Sequence, residues 1–108
     1  MFGALETKDW RTMLERLLPF AKTIVITSFN HKRNLSAEKV ADYVRATCND
    51  LPIRVELDVD AAFDWCGEQD GNRLVAGSLY MVGAVLARFT HGLPVSVRYE
   101  RENERMII

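Results

Sequence analysis

Hydrophobic residues along the chain switch repeatedly between a helical and an extended spacing. Trp10, Met13, Leu14, Leu17 and Leu18 recur at i, i+3, i+4, i+7 and i+8, the stripe of an amphipathic helix, which Pro19 should end or kink. Residues 23–28, Thr-Ile-Val-Ile-Thr-Ser, are short and β-branched and read as a buried strand. A polar loop over 29–35 leads to Ser36, which caps a second helix with Val40, Tyr43, Val44 and Thr47 inward. Asn49-Asp50-Leu51-Pro52 stops that helix. Ile53, Val55, Leu57 and Val59 alternate as a strand does. Asp60 then caps a short helix through Ala62, Phe63 and Cys66, closed by Gly67. After a turn at 68–72, a strand over 73–76 runs into Gly77-Ser78 and a last long helix from Ser78 to about Phe89. Its inward residues are Leu79, Val82, Leu86 and Phe89. Gly92 and Pro94 mark the exit, Val95, Val97 and Tyr99 suggest a final strand, and Met106-Ile107-Ile108 reads as a tail or a further strand.

This alternation of helix and strand predicts one α/β domain. The sheet is mostly parallel, with right-handed crossovers and helices on both faces. Met1-Phe2-Gly3-Ala4 reads as the last residues of a strand whose start is absent, with Gly3 as its exit and Thr7-Lys8-Asp9 leading into the first helix. A sheet lacking a buried strand exposes an apolar edge. The expectation is therefore a homodimer or higher oligomer formed through that edge.

Composition narrows the function classes. The 108 residues suit one small domain, and 48% hydrophobic content supports a core. A net charge of −1 with mixed signs leaves no basic field, so nucleic acid and membrane surfaces are not expected partners. No apolar run approaches the roughly 20 residues of a membrane helix, and the first residues lack the charged and apolar regions of a signal peptide. The expected location is cytoplasmic. Cys48 and Cys66 fall on predicted helices as reduced thiols, and His31 and His91 show no metal-ligand spacing.

Three loops should share the carboxyl edge of the sheet, where open α/β sheets bind ligands: 3–9, 28–35 and 77–78. They would gather Lys8, Asn30, His31, Lys32, Arg33 and Ser78, a cationic and donor-rich set suited to carboxylates or phosphates. Arg33 can hold a carboxylate through two parallel hydrogen bonds. Gly77 permits close backbone approach and Ser78 can cap the helix behind it. A solvated polar rim is the alternative, and spacing does not separate the two. Of Asp58, Asp60 and Asp64, which could suggest a carboxylate pair, Asp60 reads as the helix cap, Asp64 as a first-turn residue and Asp58 as a solvated side chain. The run 98–105 reads as a charged edge strand or tail, and Trp10 and Trp65 as core anchors. No Walker A loop, GxSxG elbow or nucleophile–base pair occurs.

The wording of these loops resembles the C-terminal domain of folylpolyglutamate synthase and dihydrofolate synthase, in the superfamily of muramyl-peptide (Mur) ligases. Phe2-Gly3-Ala4-Leu5 followed by Lys8-Asp9 looks like the family's strand exit with its Lys-Asp pair. Thr27-Ser28-Phe29-Asn30-His31-Lys32-Arg33 is similar to the loop Mur ligases write T-S-D-N-P-R, with two residues between Asn30 and Arg33 and no proline. Gly77-Ser78-Leu79-Tyr80-Met81-Val82-Gly83 is close to the family's G-S-L-Y-L-V-G. The resemblance covers about residues 1–89.

The resemblance implies a Rossmann-like three-layer sandwich and a role in ATP-dependent folate–glutamate ligation. In that reaction ATP and Mg2+, held mainly in a central domain, turn a folate carboxylate into an acyl phosphate, and the amine of L-glutamate attacks it. The C-terminal domain closes over the site. Carried over by position, Asn30, Arg33 and Ser78 would bind glutamate, while Lys8, Asp9 and Gly77 would face the interdomain cleft. No catalytic residue is assigned. The chain carries no P-loop and no Asp-Gly-Ala-His-Asn stretch, so the expectation is a single domain lacking its first strand and the ATP-binding domain, inactive alone. The alternative is a non-catalytic α/β module that binds an anion or dimerises.

Overall fold

Asp9 begins the first ordered helix by accepting from the Thr12 N–H at 3.4 Å, and α1 runs Trp10–Leu17. Pro19 converts the following turn to a 3-10 helix, Leu18–Phe20, as its missing N–H requires. The computed structural model describes residues 1–29 and 31–89. The remaining described elements are β1 (Ile24–Ile26), α2 (Ala37–Thr47), β2 (Ile53–Val55), α3 (Val59–Glu68) and α4 (Leu79–Ala87). The strand expected at 95–99, the exit at Gly92 and Pro94, His91, the run 98–105 and the apolar end 106–108 lie outside the described residues, as does Asn30.

The two strands pair in parallel, Ile24 opposite Ile53 and Ile26 opposite Val55. Phe2 extends the pairing. It bridges in parallel to Ile26 on one side and to Ala76 on the other. Its N–H donates to the Val25 carbonyl and its carbonyl accepts from Thr27, both at 2.9 Å. On the far side Gly3 N–H donates to the Ala76 carbonyl and Ala76 N–H to the Met1 carbonyl. The spatial order is therefore β2, β1, the first residues, then the segment ending at Ala76. Residues 1–4 thus run between β1 and the segment ending at Ala76.

The side chains of β1 alternate as the pleat demands. Ile24 and Ile26 join Phe2, Trp10, Leu14 and Leu18 and, from α2, Ala37, Val40, Ala41 and Val44 in one buried cluster. Val25 points the other way, to Ala62 and Cys66 of α3. Helices thus pack on either side of β1 and make a compact α/β domain.

Several local expectations are corrected. The second strand stops at Val55. Leu57 is 63% exposed and Val59 already belongs to α3. Asp58, in an extended conformation, is the cap, accepting from Ala61 N–H at 3.1 Å; Asp60 lies in the first turn. Gly67 does not close α3, which continues to Glu68. Its end is held instead by the Arg73 guanidinium, which donates to the Cys66, Gly67 and Gln69 carbonyls. The expected strand over 73–76 is reduced to a single bridge at Ala76. In α4 the buried residues are Met81 and Val85, not Leu79 and Phe89, which are both more than 60% exposed. This helix is apolar nearly all round, so spacing could not choose its inner face. Met13 and Thr47 are likewise outward, while Trp10 is buried and meets Tyr43 edge-on at 5.3 Å.

Candidate functional site

The three loops picked out by sequence do meet on one edge. Leu35 N–H donates to the Ala4 carbonyl and Glu6 N–H to the Arg33 carbonyl, at 2.9 and 2.8 Å, with an antiparallel bridge between Leu5 and Asn34. The loop after Phe2 and the loop after β1 are therefore stitched backbone to backbone. Gly77 brings in the third. Its φ is +121°, a conformation L side chains rarely adopt, and a Cβ there would collide with the Gly3 carbonyl. Gly3 is as confined, since a Cβ on it would lie 2.9 Å from the Met81 sulfur and 3.0 Å from the Thr27 carbonyl. The Gly77 turn thus fits against the Gly3 carbonyl, while Gly3 leaves room for the Met81 side chain and the Thr27 carbonyl.

The loop after β1 is organised from within. Asn34 Oδ1 accepts from Phe29 N–H at 3.1 Å, His31 Nδ1 accepts from Arg33 N–H at 3.0 Å, and the His31 ring lies 4.7 Å from that of Tyr80 in the first turn of α4. The His31–Tyr80 contact ties the 28–35 loop to the Gly77-Ser78 turn. Lys8, Lys32 and Arg33 are exposed, and none forms an ion pair with another described residue. Their charges are free to meet an incoming anion.

Two assigned residues carry structural duties here. Asp9 is half of a helix cap, which fixes its carboxylate at the start of α1. Ser78 is half-buried and caps α4 through Tyr80 N–H at 3.2 Å, so its hydroxyl oxygen is already engaged as an acceptor. Its hydroxyl proton is still available to a ligand. Lys8, Lys32 and Arg33 are the exposed cationic groups of this edge, and Gly77 and Ser78 shape it.

The edge is an open wall. Neither of two cavities in the described residues includes Lys8, Asp9, Arg33, Gly77 or Ser78. The larger, about 660 Å³, opens at the opposite end of the strands between the start of β1 and residues 72–76. Sequence reasoning missed it; the one signal was the strand-like wording of Met1-Phe2-Gly3-Ala4.

The implied nucleotide and magnesium do not fit this chain by its own donors. The sequence has no phosphate loop, and no group of three His, Cys, Asp or Glu side chains gathers among the described residues. No step of a reaction is assigned to either here. Asp60 and Asp64 flank Arg88, at 3.7 and 2.9 Å, and so form an exposed ion cluster rather than a catalytic carboxylate pair. Cys66 is buried and Cys48 half-buried, both as free thiols. No described helix is long and apolar enough to cross a membrane. Among known proteins, no family model, no curated protein and no solved structure matches the chain.

Proposed function

We propose that this chain is the C-terminal domain of an ATP-dependent folate–glutamate ligase, a Rossmann-like three-layer sandwich whose carboxyl edge forms one wall of the glutamate site. The observation that carries the reading is the mutual fit of the motifs. The Gly-Ser-Leu-Tyr turn packs on Gly3 of the Gly-Ala motif and on His31 of the Thr-Ser loop. Three stretches of family-like wording, far apart in sequence, thus form one surface.

In this reading Arg33 grips a carboxylate of L-glutamate through its paired guanidinium N–H groups, with Asn30 and Ser78 as neighbouring polar contacts. Lys8 adds positive charge from the cleft side, Asp9 holds that loop in place through its cap, and Gly77 sets the distance between turn and loop. The folate, ATP and Mg2+ belong to the opposing domain. Aligning an acyl phosphate with an attacking amine needs both walls, and such positioning supplies much of the barrier reduction. The chain alone is accordingly expected to bind weakly and catalyse nothing. A non-catalytic α/β module that binds a small anion or dimerises is the second reading, and the exposed Lys8, Lys32 and Arg33 suit its anion.

The test is titration of the 108-residue chain with millimolar L-glutamate, followed by 15N–1H NMR, in the parent, Arg33→Lys and Arg33→Ala proteins. Losing the bidentate pair should weaken binding about tenfold or more, with Lys restoring part of it. Equal responses in all three proteins would remove Arg33 from the site.

A further inference from the structure

The backbone of Arg33 is held from both sides. Its N–H donates to His31 Nδ1 at 3.0 Å, and its carbonyl accepts from Glu6 N–H at 2.8 Å. The first partner is an imidazole, and that ring is fixed by aromatic neighbours. It is half-buried, with its centroid 4.7 Å from that of Tyr80 and 6.5 Å from that of Phe29. Tyr80 lies in the first turn of α4, so the ring carries the position of that turn to the Arg33 backbone.

An Nδ1 that accepts a hydrogen bond carries no proton, so this contact belongs to the neutral ring. Both nitrogens of an imidazolium are donors, and no rotation of a protonated ring restores an acceptor for Arg33. The aromatic contacts respond in the opposite sense, because a cation is attracted to the faces of rings such as Tyr80 and Phe29. On protonation the ring stays with Tyr80, and the Arg33 backbone is what lets go. Neighbouring charges do not offset that loss. Lys32 and Arg33 on the same loop and Lys8 on the paired loop carry like charge. In the bordering segments Asp9 and Asp58 cap helices, Glu56 pairs with Arg54, and Glu6 is exposed. No carboxylate among the described residues pairs with His31.

We propose that His31 is a positioning residue for Arg33, a latch that only the neutral imidazole closes. Closed, it fixes the Arg33 backbone relative to α4 through Tyr80. Protonated, it frees the Arg33 segment, which a carboxylate then has to order again on binding, at a cost in apparent affinity. Carboxylate binding at this edge weakens as pH falls through the titration of His31. That sign separates the latch from simple attraction, since an edge acting by charge alone binds anions more tightly once a further cation is added. The binding consequence rests on the ligase reading of Arg33, whereas the latch itself does not.

The experiment follows the 108-residue chain by NMR from about pH 8 to about pH 5.5, a range in which imidazoles take up a proton and glutamate keeps its carboxylates ionised. Parent, His31→Asn and His31→Phe proteins are compared without ligand and with L-glutamate, and α2 amides check that each stays folded. Asn offers a carbonyl near the place of Nδ1 and takes no proton, while Phe keeps a ring against Tyr80 and offers no acceptor. Without ligand, the parent's Arg33 amide is expected to lose exchange protection about fivefold or more on acidification, the worth of one hydrogen bond, in step with the His31 ring. The contact between His31 and Tyr80 persists. His31→Asn loses the pH dependence, and His31→Phe shows low protection throughout. With L-glutamate, the parent's affinity falls by a similar factor over the same range. An Arg33 amide that ignores the His31 titration, or that moves equally in His31→Asn, overturns the proposal. So does glutamate binding that tightens as pH falls. An Arg33 amide that follows His31 with no glutamate response at any pH supports the latch and removes the ligase reading alone.

Discussion

Gly77 sets the candidate site at the scale of one residue. Its positive φ and the Gly3 carbonyl facing it leave no room for a methyl group, so Gly77→Ala should destabilise the fold by about 2 kcal/mol or more in denaturant unfolding. The sequence marked this glycine as one that permits close backbone approach, but not the Gly3 carbonyl that approaches it. It did not show which aspartate caps α3. Asp58 and Asp60 are both good caps by type, and the choice turns on where β2 stops, which depends on how far Ile53–Val55 pairs with β1. Asp58→Ala should cost about 1 kcal/mol, whereas Asp60→Ala, which loses only an exposed contact to Arg88, should stay within about 0.5 kcal/mol. Equal losses would show that the cap had been misplaced.

Among the elements, helices and strands were legible where pattern and punctuation agreed. Trp10, Leu14 and Leu18, Ser36 with Val40 and Val44, and Ile24–Ile26 all stand where their spacing puts them. The sequence was silent where packing decides alone. The face of α4 could not be read from a helix that is apolar throughout, and the end of α3 depends on an arginine seven positions beyond Cys66. Arg73 answers the unsatisfied carbonyls at that helix end and also supplies positive charge there. Because the side chain is exposed, Arg73→Ala should cost about 1 kcal/mol, with faster amide exchange confined to the last turn of α3 and the segment after it. A loss spread evenly over the molecule would contradict that local role. The candidate site was legible in its loops, since each follows β1 or a bridge aligned with it, but not in its joints. The His31–Tyr80 contact and the Leu5–Asn34 bridge join residues too distant for spacing to connect.

For the whole molecule, one charge reports on how the sheet closes. Burial lowers the pKa of the Met1 amino group, outweighing the opposing influence of Cys66. The unfolded chain therefore holds this proton more readily than the folded one. The contribution is favourable above the unfolded pKa and is lost as pH falls through the window beneath it. Unfolding midpoints measured at about pH 6 and about pH 8.5 should favour the higher pH in the free chain more than in its N-acetylated form. An identical pH dependence in the two would place that nitrogen in water. The central claim is that three loops act as one carboxylate-binding wall, and its most direct test is a map of which backbone amides move as L-glutamate is added to the 108-residue chain. Shifts should saturate together in all three loops, at Lys8, at residues 31–34 and at residues 77–80, with the amides of α3 unmoved. Shifts scattered over the exposed lysines and arginines, or confined to the cavity beside Ile24 and Leu74, would contradict it.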